Sequence, residues 1–324
     1  MRFSVETWAP DYGAPTQEGA LADSADPVDA GAEISVGDWC PRSVPAGVSL
    51  PDRVRFVDGV RRVDARVWVT DDTGVTRQGI CASYAAGVVA CDDSARIEAA
   101  EVRRSLLSPA RDAVDIVTRH GRYRSAAAPS DDPDALSIEL QGRMAELEKL
   151  VSDQSGRTRG GPNALLVVDG PLRQRHHLPG AVGMVKTHQR SYLPDELAPV
   201  VAALDDGQRT PLFLTAGRFG RWSWYLRLPG ERTHGWAGIV RCEADRDLDL
   251  TSAVALADTT AGLLPRFASA AHKEPRAPQN LYPIAGLERE LKRRLGDPAL
   301  LYRSLRSAAA AAGETLGAPL AATV

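Results

Sequence analysis

Two apolar runs in this chain each end on Asp-Gly: Val54-Arg55-Phe56-Val57-Asp58-Gly59 and Leu165-Leu166-Val167-Val168-Asp169-Gly170. A buried strand that closes on a carboxylate and turns at once on glycine sets that carboxylate at a sheet edge facing solvent, where a hard cation can reach it. Paired aspartates of this kind suit phosphodiester hydrolysis. Two divalent cations held by shared carboxylates generate hydroxide from a bound water and neutralise charge on the leaving oxygen, and Mg²⁺ or Mn²⁺ prefers hard oxygen ligands.

The elements that must bring Asp58 and Asp169 together can be read in outline. From Val54 the pattern is a strand to Val57, an alternating strand from Val63 to Thr70, an Asp71-Asp72-Thr73-Gly74 turn and a strand from Arg77 to Ala90, which together predict a three-stranded antiparallel meander. Glu101 to Leu107 reads as a strand or a short helix. Pro133 to Ser152 is predicted as a helix, because Leu136, Leu140, Met144, Leu147 and Val151 form one stripe and Asp131, Asp132 and Asp134 favour its N-terminus. A Gly-rich loop, 156 to 163, leads to the strand ending at Asp169, and Ala181 to Lys186 is a further strand. Asp195 to Leu204 is read as a helix, Pro211 to Thr215, Arg221 to Leu228 and Trp236 to Glu243 as strands, and Ser252 to Leu264, Ile284 to Leu295 and Pro298 to Ala312 as helices, with a basic loop from Pro265 to Pro278. The order from Arg53 to Asp169 resembles that of the RNase H-like nuclease fold. The fold class expected is therefore α/β: an RNase H-like core with a mixed sheet flanked by helices, plus a C-terminal helical extension.

A third carboxylate follows from helix geometry. With the stripe through Leu140, Met144 and Val151 as the buried direction, Glu148 lies about 80° from its centre, Glu139 about 100° and Glu146 about 120° at about 100° per residue. Glu148 is the best placed to lean toward the sheet as a metal ligand. The competing reading is an ordinary boundary residue.

Composition narrows the class. Of 324 residues 44% are hydrophobic and the net charge is −3, enough for a substantial core and no advertisement for nucleic acid or membrane. No run of eighteen apolar residues occurs, and Met1-Arg2-Phe3-Ser4-Val5-Glu6 lacks a secretory pattern, so a cytoplasmic protein without a membrane partner is expected. Cys40, Cys81, Cys91 and Cys242 contain no Cys-x-x-Cys pair and read as reduced thiols. Gly180 to Thr187 has Val185 where a phosphate-binding loop needs glycine before its lysine, which argues against an ATPase, and no dinucleotide fingerprint or nucleophile motif supports a small-molecule enzyme. His176-His177 has no carboxylate at ligand spacing and reads as a surface loop.

The chain resembles the NurA nucleases over roughly residues 48 to 307. The residues that carry the likeness are Phe56-Val57-Asp58-Gly59, the helix with Glu148, Leu166-Val167-Val168-Asp169-Gly170-Pro171-Leu172, Gly183-Met184-Val185-Lys186-Thr187, and Pro278-Gln279-Asn280-Leu281-Tyr282-Pro283 before a helix. Asp-Gly alone is a common turn, whereas five such segments in order are specific. The resemblance implies an RNase H-like core, Mn²⁺-dependent nuclease activity on DNA ends and single strands, a dimer, and a hexameric partner ATPase of the HerA type. It implies metal ligation by Asp58, Glu148 and Asp169, and a late contribution from Tyr282, for which packing beneath the helix is the alternative. Lys186 could steady the scissile phosphate or orient the attacking water, or be a solvated strand end. Archaeal members carry a histidine in the late helix that is missing here; Glu288 or Asn280 could stand in, while His272 reads as a loop residue.

Arg266, Lys273, Arg276, Arg289, Lys292, Arg293, Arg294, Arg303 and Arg306 cluster late, interleaved with Glu274, Glu288 and Glu290. They form either a solvated helix face or, with Trp222, Trp224 and Tyr225, a channel for single-stranded DNA. The expected organisation is a flexible arm over 1–46, a nuclease domain over 47–312 and a tail over 313–324. The expected function is a metal-dependent deoxyribonuclease that processes DNA ends, with 5′-3′ exonuclease and single-strand endonuclease action. The rival is a non-catalytic RNase H-like scaffold that binds DNA and docks on a translocase.

Overall fold

The computed structural model describes residues 28–159, 164–172, 178, 180–188, 192–215 and 220–317. Residues 1–27 of the expected arm, His176-His177 and residues 318–324 of the expected tail lie outside the described residues. In chain order the strands are β1 (Val28–Asp29), β2 (Val54–Thr70), β3 (Thr76–Cys91), β4 (Ala95–Ser108), β5 (Ile116–Thr118), β6 (Gly121–Ala127), β7 (Leu165–Asp169), β8 (Ala181–Val185), β9 (Phe213–Thr215), β10 (Arg221–Arg227) and β11 (Ile239–Asp245). The α-helices are α1 (Pro133–Arg159), α2 (Ala198–Ala202), α3 (Leu250–Leu263), α4 (Tyr282–Arg294) and α5 (Pro298–Gly317), so the chain is α/β with a mixed sheet and a C-terminal helical part.

The chain divides into two compact units. The first comprises Met1–Asp58, Val88–Ala99 and Ser152–Leu287, the second Gly59–Gly87, Ala100–Val151 and Glu288–Val324. In the first, the strand order is β1-β9-β10-β11-β8-β7-β2, with β2, β7 and β8 mutually parallel and the remainder antiparallel. Leu165 to Val168 and Ala181 to Met184 are buried without alternation, as parallel strands covered on both faces require. One core cluster joins Trp39, Leu197, Val201, Phe213, Tyr225 and Ile239. Trp39 donates its indole N–H to Ala30 O at 2.8 Å, and Val28 pairs with Thr215, so from Val28 onward the expected arm is ordered structure. The signal was hidden because a two-residue strand and a single buried indole leave no period.

In the second unit the order is β2-β3-β4-β6-β5. Cys81, Leu106, Tyr123 and Leu305 form its core cluster. Beside them the buried Asp64 accepts hydrogen bonds from the hydroxyls of Ser83 and Tyr123 and from Arg62 Nε. Helix α1 begins as the sequence predicts. Asp132 accepts from the backbone N–H of Asp134 at 2.8 Å and of Ala135 at 3.2 Å, with Pro133 at the first helical position. The stripe of Leu136, Leu140, Met144, Leu147 and Val151 is buried. The helix runs on to Arg159, through the start of the expected glycine loop.

Two expectations about β2 change. The runs over 54–57 and 63–70 are one continuous strand of 17 residues, and Gly59 is not a turn. Its missing side chain serves close packing instead: a Cβ there would fall 2.5 Å from Glu148 Oε1 and 2.9 Å from Met144 Cγ. Gly170 does turn, at φ +103°. The ambiguous 101–107 segment lies in strand β4, and the expected 195–204 helix is a 3-10 turn, Asp195–Leu197, followed by α2.

Candidate functional site

Strands β2 and β7 run parallel with Phe56 opposite Val167 and Val57 opposite Val168. Asp58 and Asp169 come next, one residue beyond that last pair in each strand. Neighbouring strands lie about 4.8 Å apart and matched register keeps the pleat in phase, so the two carboxylates leave the sheet on the same face as neighbours. Strand β7 ends at Asp169 whereas β2 continues, so Asp58 sits inside its strand rather than at the strand end the sequence suggested.

Asp169 is already charge-compensated. Lys186, one residue past the end of β8, places Nζ 2.6 Å from Asp169 Oδ2 and 2.8 Å from Asn280 Oδ1. The lysine side chain is 3% exposed and the aspartate side chain 11%, so this is a buried ion pair and not the solvated strand end weighed above. Asn280 is fully buried, and among the described residues its Nδ2 has no hydrogen-bond partner. The preceding Gln279 donates Nε2 to Ile239 O at 2.9 Å, which ties this segment to β11.

On the opposite face a second ionic group holds the turn after Asp169. Glu243 Oε1 accepts the backbone N–H of Leu172 at 2.5 Å, and Glu243 Oε2 accepts Arg241 Nη1 at 2.8 Å. Burial disfavours the Arg241 charge, but the neighbouring Glu243 carboxylate together with Tyr192 and Tyr225 outweighs it and raises the guanidinium pKa. Arg241 also lies 4.4 Å from the centre of the Tyr192 ring. Gly183 makes the turn possible, since a Cβ there would fall 2.5 Å from Leu172 N and 2.9 Å from Gly170 O. Arg241 and Glu243 are not among the residues expected from the sequence. Their signal was two charges inside the apolar run Ile239-Val240-Arg241-Cys242-Glu243-Ala244.

Glu148, in the second unit, is buried with Oε1 where a side chain at position 59 would go. Tyr282 is 38% exposed, and its hydroxyl oxygen accepts the Ala270 N–H at 3.1 Å. Glu288 accepts from Lys292 Nζ at 2.9 Å in an i,i+4 pair. His272 is exposed, as a loop residue should be. Among the described residues no group of three or more His, Cys, Asp and Glu side chains is placed to hold a metal ion.

The proposed stacking aromatics are core residues. Trp222, Trp224 and Tyr225 are 8%, 0% and 1% exposed, because β10 is covered on both faces. Trp224 Nε1 donates to Thr260 Oγ1 at 3.2 Å and Trp222 Nε1 to Leu248 O at 2.9 Å. Of the late cations, Lys292, Arg293 and Arg294 are paired with Glu288 or Glu290, while Arg289, Arg303 and Arg306 are exposed. Hydrogen bonds from Arg293 and Arg294 pull the Glu290 carboxyl down to about 2. Cys81, Cys91 and Cys242 are buried free thiols, and burial raises the pKa of each. No protein-family model matches the chain, and no curated protein matches it.

Proposed function

We propose that this chain is a divalent-metal-dependent deoxyribonuclease of the NurA type with an RNase H-like core. The observation that carries the reading is the in-register placement of Asp58 and Asp169 at the end of the shared β2–β7 ladder. Two carboxylates side by side are a hard-oxygen donor set that suits Mn²⁺ or Mg²⁺. Glu148 is included as a third ligand on sequence grounds. A bound divalent cation would supply a hydroxide at neutral pH and neutralise charge on the phosphate. Lys186, fixed by Asp169 and Asn280, would place its ammonium toward a non-bridging phosphate oxygen.

The proposal extends to DNA ends and single strands as substrates, a homodimer, a cytoplasmic location and a HerA-type hexameric ATPase as partner. The test is cleavage of labelled linear and single-stranded DNA with Mn²⁺ and with EDTA. Asp58→Ala and Asp169→Ala should each abolish the Mn²⁺-dependent product, and cleavage that survives both substitutions would overturn the assignment. One observation favours the second reading, a DNA-binding scaffold without catalysis: Lys186 already neutralises Asp169. That reading predicts DNA retention with no cleavage in any divalent metal.

A further inference from the structure

Within the first unit, the turn between β3 and β4, the Arg266-Phe267 step and the first two turns of α4 enclose a cleft of about 500 Å³. That volume lies inside the range of about 300 to 1,000 Å³ usual for small-ligand sites. Its walls are mainly apolar, with Cys91, Ile97, Phe267 and Leu287 among them, and Tyr282 stands 38% exposed at its side. Arg266 is exposed at the cleft, and no ion pair engages it among the described residues, whereas Arg96 on the other wall is committed to Asp92. The cleft also has a bare spot: a Cβ built on Gly286 meets nothing within 4 Å.

Two connections tie the cleft to the aspartate pair. Phe267 stands edge-on to Phe56 at a centroid distance of 5.0 Å, and Phe56 leaves β2 on the same face as Asp58 two residues later. Asn280, which accepts from Lys186, is two residues before Tyr282. A ligand in this cleft therefore needs a flat apolar body for the Phe267 and Tyr282 side and one anionic group for Arg266. The exposed Asp93 carboxylate, also lining the cleft, accepts hydrogen bonds from an amino group.

We propose that the cleft holds one nucleotide of a DNA strand, with its base against Phe267 and Tyr282 and its phosphate on Arg266. This rests on the nuclease reading and assigns that site a nucleotide subsite. Base stacking on aromatic side chains is sequence-tolerant, whereas the Asp93 carboxylate favours a base with an exocyclic amino group, so dCMP should bind more tightly than dTMP.

The experiment is equilibrium dialysis of dCMP, deoxycytidine and a short oligo-dC against the full chain in EDTA, so that hydrolysis plays no part. Saturable dCMP binding is expected, at least tenfold weaker for deoxycytidine and at least tenfold weaker in Arg266→Ala and Gly286→Leu. Leucine is a better helix former than glycine and enters open space, so circular dichroism melts of Gly286→Leu should match or exceed the wild type. Arg266→Ala, at an exposed side chain, supplies the same test should that variant misfold. Tighter binding of oligo-dC than of dCMP assigns the cleft to a strand; oligo-dC binding no tighter than dCMP overturns the assignment in favour of a free nucleotide. No saturable dCMP binding, or binding unchanged in both variants, overturns it outright. Cleavage of DNA with Mn²⁺ but no dCMP binding would remove the cleft assignment alone, and the binding pattern above without any cleavage would remove the nuclease reading alone.

Discussion

Replacing Lys186 by Met removes the ammonium and keeps most of the side-chain volume, leaving the Asp169 carboxylate buried without its cation. At an N–O separation of 2.6 Å the attraction is about 6 kcal/mol for an effective dielectric constant of about 20. Desolvation of the two ions offsets much of that attraction, so the pair contributes far less to stability than the gross figure. Breaking one side of such a pair is another matter, because an uncompensated buried charge remains, and the cost is about 3–5 kcal/mol. With Asp169 11% exposed, the lower end applies: Lys186→Met should lose about 3 kcal/mol and about 4–5 °C of melting temperature. Asp169→Asn combined with Lys186→Met restores neutrality, and the double variant should be more stable than the two single losses predict by about 2 kcal/mol. Urea unfolding in EDTA, followed by the combined fluorescence of the six tryptophans, measures all four proteins. Adding Mn²⁺ should raise the melting temperature of Lys186→Met more than that of the wild type, since a cation can then take the place of the ammonium. A Lys186→Met loss below about 0.5 kcal/mol would refute the reasoning, because it would place the pair among solvent-screened surface bridges.

Arg209 is 1% exposed and held by Glu33 at 2.8 Å and Asp258 at 2.7 Å, so Glu33→Gln should destabilise by about 3 kcal/mol in chemical denaturation. Burial opposes the Glu33 charge, but the hydrogen bonds from Arg209 and Leu212 and the charges of Arg209 and Arg42 together outweigh it and hold the carboxyl below its ordinary 4.5. A depressed folded value means the stabilisation is full above 4.5 and is lost as pH falls through the folded value, so the wild type should lose stability more steeply in acid than Glu33→Gln. Gly183→Ala should be worse than Gly59→Ala in thermal melts, about 2–3 against about 1–2 kcal/mol. Its new methyl meets backbone at Leu172 and Gly170, whereas the one at 59 meets only side-chain atoms, of Glu148 and Met144. If the late arginines contact phosphates, DNA affinity should fall as salt rises, and Arg289→Ala should flatten the slope of log K against log salt by about one.

Periodicity carried much of this molecule into view from its residues alone. The stripe from Leu136 to Val151 with Asp132 ahead of Pro133 announces α1, because a helix that buries one face must repeat its apolar residues every three or four positions and satisfy its first N–H groups locally. Likewise the apolar runs before Asp58 and Asp169 announce buried strands, and their shared chemistry points to a common site. Other features depend on partners distant in sequence. Gly59 and Gly170 follow aspartates in identical dipeptides, yet one is a turn and the other a gap left for Glu148 and Met144, a difference set by what packs above each strand. The alternation of Trp222, Trp224 and Leu226 suits a one-sided strand, and only the covering of both faces makes Tyr225 core as well. Lys186 gained a buried carboxylate and Asn280 as partners, and Glu33 gained Arg209, across separations of 17, 94 and 176 residues. Local propensity and hydrophobic period are properties of neighbouring residues and so are written in the chain, whereas ion pairing and close approach are properties of three-dimensional proximity, which only the assembled sheet decides.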